Sequence, residues 1–531
     1  MFHFNELRPQ IVEEVTRRVV EARRVAALAH PDESLAYTLN DLVIHELKRL
    51  RRVAPPDTVE DKKRVDTIAR ALNRGADDGD LAQLLRDQVH AYADDIAGSF
   101  SMPAYRVASR ILPSVLSLLL SPQNLKRGLV GLGTMDNRVR VDGDLEQLRR
   151  LAERGTLIVV PTHLSNLDSP LVGFAVERAG LPPMTYGAGK NLFTSPLTSF
   201  FMARLGAYKV DRRLNFALYK EVLKTFSQTV LEHGLHSIFF PGGTRSRSGA
   251  IERKLKLGLA GTALSAYIQS VRRDGPQARR FYFVPLTLNM PLTLEAETLI
   301  EDHLKEVGKN RYIIEDDEFT RLGRVVTFGR KLLTMDQAIE VRFCAPRDPF
   351  GNRVDAEGRS IDDRGREVDP MRYVLRDGAP VHHHGRDAEY TRELGGLIAE
   401  DYVQGASYFP THLVADVLFG ALERELPGLD LYRRLRHPRE VGLTLAETAE
   451  RVDRVRDAIT RNSDRLGRLS ERAAALHGPA LVLDALESFS GYHTRPAAEL
   501  VGNRVVLRDR ELLLYYRNRL LHHEPAQAAL S

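Results

Sequence analysis

Between residues 155 and 345 the chain alternates short apolar runs with helix-like stretches, and this alternation restricts the fold more than any other feature. The runs are G-T-L-I-V-V-P-T-H from Gly155, S-I-F-F-P-G-G from Ser237, F-Y-F-V-P-L-T-L-N-M from Phe281 and A-I-E-V-R-F-C-A-P from Ala338. Each is short, apolar and bounded by polar or turn residues, the pattern of a strand buried on both faces. Strands divided by stretches of about ten or more residues pair in parallel, because a crossover of that length is what a parallel connection needs. The expected class is α/β: a largely parallel or mixed central sheet flanked by helices, with helical regions at the N- and C-terminal sides. Loops leaving the carboxyl ends of such strands are the usual ligand sites.

The flanks follow a different period. Ile11, Val15 and Val19, and again Leu81, Leu84, Leu85 and Val89, recur at helical spacing, with breaker segments A-P-P-D-T and G-A-D-D-G-D between them. After residue 346 the stretch D-P-F-G-N-R-V-D-A-E-G-R-S-I-D-D-R-G-R-E-V-D-P has the Gly and Asp content of turns and hairpins, with no convincing repeat of whole elements, and beyond residue 386 the helical period returns. This divides the 531 residues into an N-terminal helical domain (1–125), an α/β domain (126–345), a turn-rich insertion or linker (346–385) and a C-terminal helical region (386–531). Such a length calls for two or three cores, since one core serves roughly 100–200 residues.

With 76 Lys and Arg against 71 Asp and Glu, the net charge of +5 gives no reason to expect a nucleic-acid partner. The single cysteine, Cys344, cannot form an internal disulfide; beside Val341, Phe343 and Ala345 it is expected in a buried strand, in a reducing, cytoplasmic setting. The first residues lack the basic start and apolar stretch of a secretory signal. The most apolar run, residues 111–120, is about half of the roughly 20 residues a membrane span needs. It is either a buried helix or an interfacial one with Arg106 and Arg110 at the headgroups.

The segment P-T-H-L-S-N-L-D-S-P sets His163 and Asp168 just past a strand. A carboxylate that holds one ring nitrogen of a histidine makes the other a base at neutral pH. Residues five apart on one α-helix point about 140° away from each other, so the pair meets only if His163 lies in the turn and Asp168 in the first turn of the helix. A second segment, F-F-P-G-G-T-R-S-R-S-G from Phe239, combines paired glycines, which let N–H groups approach an anion, with Arg245 and Arg247, whose guanidinium forks suit phosphate oxygens. Lys190, Lys209, Arg212 and Arg213 lie between the two and are able to gather there. The run His382, His383, His384 has no companion ligands for a metal, and the Gly187 segment G-A-G-K lacks the spacing of a nucleotide phosphate loop.

Taken in order, T-H-L-S-N-L-D, G-A-Y-K-V-D-R, F-P-G-G-T-R-S and V-P-L-T-L resemble the four blocks of the glycerolipid acyltransferase superfamily. The longer G-G-T-R-S-R-S-G form and the block F-P-T-H-L-V-A at residues 409–415 look most like the bacterial glycerol-3-phosphate acyltransferase branch. The resemblance implies His163 as general base and Asp168 as its orienter. It implies a phosphate site of Arg212 with Gly243, Thr244, Arg245, Ser246 and Arg247, to which Lys190 is added from its place in the sequence, and Pro285 in the acyl-binding wall. One departure is Gly242, where many members carry glutamate; it bears on how the acceptor is held. The implied reaction moves a fatty acyl group from acyl-CoA or acyl carrier protein to the 1-hydroxyl of glycerol 3-phosphate. It needs no cofactor or metal, and takes place at the cytoplasmic face of the inner or plasma membrane with the protein bound peripherally or monotopically. The alternatives are an acyltransferase acting on lysophosphatidate and a non-catalytic lipid-binding or scaffold protein.

Overall fold

A computed structural model describes residues 4–30, 33–51, 59–106, 139–190, 204–211, 213–307, 338–490 and 493–530. Its centre is a seven-stranded sheet in the order β1-β7-β6-β2-β5-β3-β4. The strands are β1 (Val139–Asp142), β2 (Gly155–Pro161), β3 (Thr185–Gly189), β4 (Ala207–Val210), β5 (Ser237–Ile238), β6 (Arg280–Asn289) and β7 (Ile339–Phe343). All neighbours are parallel except β6 and β7, which run antiparallel from Leu286↔Phe343 to Asn289↔Glu340. β2 is buried at every position, as a central parallel strand covered on both faces must be. The four apolar runs correspond to β2, β5, β6 and β7. Cys344 is the exception in detail: the strand ends at Phe343, so the thiol sits one residue beyond it and is half-buried, with Sγ 3.5 Å from the Asp401 carbonyl.

Helices α1 (Phe4–Ala29), α2 (Leu35–Leu50), α3 (Val59–Asn73) and α4 (Asp78–Ile96) build a bundle around their own apolar cluster. That cluster is completed by α7 (Ala217–Glu232), which follows α5 (Leu145–Arg154) and α6 (Asp168–Arg178) in the α/β layer. Tyr219, Val222 and Phe226 of α7 pack into it beside Ile11, Val15, Leu85 and Val89, so the helical bundle is fastened to the sheet layer through buried side chains. Among the described residues no helix is long and apolar enough to cross a membrane. Residues 111–120 lie outside the described residues.

Residues 348–368 show a period that the expectation of no repeat missed: D-x-x-G turns recur every seven residues, at Asp348, Asp355 and Asp362. In each, the glycine N–H donates to the aspartate carbonyl (Gly351, Gly358, Gly365; 2.9–3.1 Å), and φ values of +91°, +81° and +75° explain why glycine is required. The intervening pairs form the antiparallel strands β8 (Arg353–Val354), β9 (Ser360–Ile361) and β10 (Glu367–Val368). The repeat is of turns rather than packed elements, which is why a search for whole repeated elements passes over it.

Beyond residue 384 helices dominate, but the expectation of a helical region needs one addition, a three-stranded antiparallel sheet of Gly442–Thr444, Arg504–Leu507 and Ala498–Val501. Its hairpin turns at Gly502, where φ is +60°. This region shares one hydrophobic core with the central sheet, and helix Pro410–Glu425 is buried along most of its length. The block at residues 409–415 starts that helix: Thr411 Oγ1 donates to the Pro291 carbonyl at 2.7 Å, tying it to the segment that follows β6.

Candidate active site

β2 and β6 stay in register to Pro161↔Leu286, and the Thr162 N–H reaches the Leu286 carbonyl at 2.9 Å before the chain leaves the sheet. His163 is therefore the first side chain free of the ladder, and Asp168 is the first residue of α6. His163 Nδ1 lies 2.8 Å from Asp168 Oδ2, the turn-to-helix meeting that the five-residue spacing demands. The same oxygen accepts the backbone N–H groups of Leu164 and Ser165, so the loop is wound around the carboxylate. Asp168 is fully buried, whereas 18% of the His163 side chain is exposed. With Nδ1 held by the carboxylate, Nε2 is the nitrogen presented to a reactant. The Phe240 ring packs 4.5 Å from the imidazole, centroid to centroid.

The glycine-rich loop leaves β5 directly beside this turn. Phe239 N–H donates to Val159 of β2, Gly243 turns back on Phe240 with φ at +73°, and Ser246 N–H donates to the His163 carbonyl at 2.7 Å. Arg245 is fixed by Glu295, whose carboxylate lies 3.1 Å away and also accepts Ser165 Oγ (2.8 Å) and the Asn166 N–H (3.0 Å). One buried acid thus joins the histidine loop to the arginine of the glycine loop. Burial pushes the Glu295 carboxyl above its usual range, and the Arg245 charge opposes that push most strongly. The loop's outer side rests on helix Arg510–Arg517 and the turn after it: Gly249 approaches Tyr515 so closely that a Cβ would lie 2.2 Å from its carbonyl oxygen, and Asn518 Nδ2 donates to Ser248 at 2.8 Å.

Residues 139–288 match the family model described as Acyltransferase. This stretch is similar to an acyltransferase domain. Relatives called glycerol-3-phosphate acyltransferase include one from Shewanella amazonensis, 25% identical over 61% of this chain and 38% of its own length. Another, from Pseudomonas fluorescens, is 25% identical over 71% of this chain and 39% of its own. A third, from Shewanella denitrificans, is 24% identical over 54% of this chain and 33% of its own. The chain spans between a third and two fifths of the length of these relatives.

Within the matched stretch the remaining expected residues divide into two places. Thr244 is exposed on the loop, and Arg247 reaches Glu306 at 2.8 Å, at the end of α8 (Ala296–Val307). Lys190 and Lys209 follow or end β3 and β4, and both are held by Asp95 of α4, at 2.6 and 3.2 Å. Arg213 is bound by Asp211, whose carboxyl Arg213 and Lys190 hold below its usual range against the opposing effect of burial. Arg212 lies outside the described residues. Pro285 is buried in β6 opposite Val160, with its carbonyl accepting the Cys344 N–H at 2.8 Å. His383 caps the helix His384–Gln404 through the Arg386 N–H, so one member of the histidine run has a structural use.

Three residues of the site escaped sequence reasoning. Glu295 carries a signal in retrospect: it is an acid closing the otherwise apolar stretch from Phe281. Lys256, whose backbone N–H donates to Pro241 at 2.6 Å, lays its side chain over Gly243, where Nζ would be 2.7 Å from an added Cβ. Arg519 is buried within electrostatic reach of Asp168 although more than 300 residues separate them. Nothing in local sequence marks either cation.

Proposed function

We propose that this protein transfers a fatty acyl group from an acyl thioester to the 1-hydroxyl of glycerol 3-phosphate, forming lysophosphatidate. The observation that carries the reading is the coupling of His163 to the glycine loop. A base braced by Asp168 shares a backbone hydrogen bond with the loop that holds Arg245, so proton acceptor and anion site are fixed relative to each other.

Arg245 and Lys256 receive the phosphate in this scheme, and the glycerol hydroxyl lies against His163 Nε2. The imidazole takes the hydroxyl proton as the oxygen attacks the thioester carbonyl. The negative charge on the tetrahedral intermediate is held by N–H groups of the glycine loop. Collapse breaks the carbon–sulfur bond, and the imidazolium returns its proton to the departing thiolate of coenzyme A or acyl carrier protein. No acyl-enzyme is required: Ser165 Oγ donates to Glu295 and the thiol of Cys344 belongs to the end of β7. The proposed setting is the cytoplasmic face of a membrane, to which the protein attaches peripherally and where the product partitions.

The test is product analysis. Purified protein is incubated with labelled acyl-CoA or acyl carrier protein thioester and either glycerol 3-phosphate or lysophosphatidate, and the extracted lipids are resolved. Labelled lysophosphatidate from the first acceptor is expected. Labelled phosphatidate from the second alone assigns the later acylation instead, and no transfer to either acceptor removes the enzymatic reading.

A further inference from the structure

Gly242 has an ordinary backbone conformation, unlike Gly243, so freedom at φ is not what calls for glycine there. Space is. A Cβ on residue 242 would stand 2.1 Å from Glu252 Oε1 and 2.7 Å from Glu252 Cδ. The carboxylate of Glu252 thus fills the volume in which a side chain at 242 would begin.

The chain is arranged to bring it there. After Arg247 the loop doubles back, with Ser246 Oγ donating to the Ala250 carbonyl at 2.8 Å and the Lys256 N–H to Pro241 at 2.6 Å, so that residues 250–256 lie beneath the two glycines. The Glu252 carboxyl lies beside the backbone N–H of His163, with Asp168 and Arg519 as its charged neighbours. The carbonyl of the same histidine accepts the Ser246 N–H. The backbone of His163 is therefore bonded to residue 246 and lies beside residue 252. Glu252 Oε2, Asp168 Oδ1 and Arg519 Nη1 are all buried without a hydrogen-bond partner.

We infer that Glu252 supplies, from ten residues downstream, the carboxyl group that the glycine at 242 omits, and that from this place it serves as a positioning residue for the loop that carries His163. Glycine at 242 and glutamate at 252 are then two halves of one exchange: the first makes room for the second. The inference rests on the acyl transfer proposed above. It adds a residue to that site that the four ordered blocks do not include.

The experiment moves the carboxylate back. In the full chain, E252A is expected to lower kcat by about 10- to 100-fold, the cost of a base displaced by a fraction of an ångström to an ångström, with the acceptor KM within about threefold of wild type. An aspartate at 242 puts carboxylate oxygens about 2.4 Å from its own Cβ, near the place Glu252 Oε1 now occupies. G242D/E252A should recover at least a third of wild-type kcat, whereas G242A/E252A, which restores bulk without a carboxyl group, should stay low. G242D alone should lower Tm, because two carboxylates compete for one site. Should E252A fail to fold, the shape-conserving E252Q replaces it, and a kcat of at least one tenth of wild type is expected. An E252A rate within threefold of wild type, equal recovery by G242A/E252A and G242D/E252A, or an inactive but folded E252Q overturns the assignment. A wild-type protein inert toward both acceptors sinks the proposed activity, whereas an active wild type with an indifferent E252A sinks this inference alone.

Discussion

The carbonyl oxygen of His163 accepts a 2.7 Å hydrogen bond from the backbone N–H of Ser246. Two loops that leave neighbouring strands, one bearing the base and one bearing Arg245, are thereby locked in register at the main chain. A side-chain substitution in either loop leaves this bond in place, so single mutants report on chemistry rather than on collapse of the site.

Removing the imidazole should abolish most turnover. H163A is expected to lose about 100-fold or more in kcat, the usual contribution of a general base, with Tm within a few degrees of wild type because the side chain is partly exposed. A kcat within tenfold of wild type, measured under saturating acceptor and donor, would exclude His163 as the base.

Arg245 has two duties that can be separated. R245A should raise the acceptor KM through loss of a phosphate contact. It should also cost about 2 kcal/mol of stability, because Glu295, 1% exposed, is left buried without its cation. In R245A/E295Q the Tm should recover while KM stays high. A double variant that recovers neither, or an R245A with unchanged KM, removes Arg245 from the phosphate site.

Glu252 should make stability fall with rising pH. Burial, with the nearby Asp168 charge, pushes its carboxyl from 4.5 up to about 8 in the folded protein, against the opposing effect of the nearby His163 N–H and Arg519. Between those values the folded state binds more protons than the unfolded one. The stabilisation of the protonated form is therefore complete below about 4.5 and lost as pH climbs through about 8. E252Q, which cannot ionise, should gain on wild type in Tm across that window and hold a constant lead above it. A Tm difference that stays flat from acid to mildly alkaline pH would show that Glu252 titrates normally.

A buried ion pair far from the imidazole offers a control. Arg347 binds Asp401 through two hydrogen bonds, of 2.6 and 2.9 Å, and fastens the D-x-x-G meander to helix His384–Gln404. D401A should cost about 3–5 kcal/mol, since it strands a buried guanidinium. Urea unfolding measures this, and a loss below about 1 kcal/mol would mean that water reaches Arg347.

The dyad was legible because its geometry is local: a strand, a turn and the first turn of a helix bring His163 to Asp168 whatever else the chain does. The apolar strands were legible for a similar reason, since burial on both faces leaves a continuous run. β3 and β4 were not, because T-Y-G-A-G beside the sheet edge and A-Y-K-V on it are short, partly exposed and interrupted by glycine or lysine. Lys190 was placed in the sequence as a phosphate ligand, yet its nearest anion is Asp95, a helix residue 95 positions earlier. Such long-range pairings carry no periodicity. Glu252 shows the same limit in the glycine loop itself: Gly242 read as a missing acid, and only three-dimensional folding reveals another acid in its space.

Arg519 reaches the charged neighbourhood of Asp168, and the turn after helix Arg510–Arg517 supports the glycine loop. A nascent chain halted just before that helix would already hold all four blocks, yet would lack the floor on which they rest. The proposed catalysis thus depends on residues far downstream of the motifs, and an abbreviated transcript that preserves every recognisable motif is expected to yield an inert polypeptide.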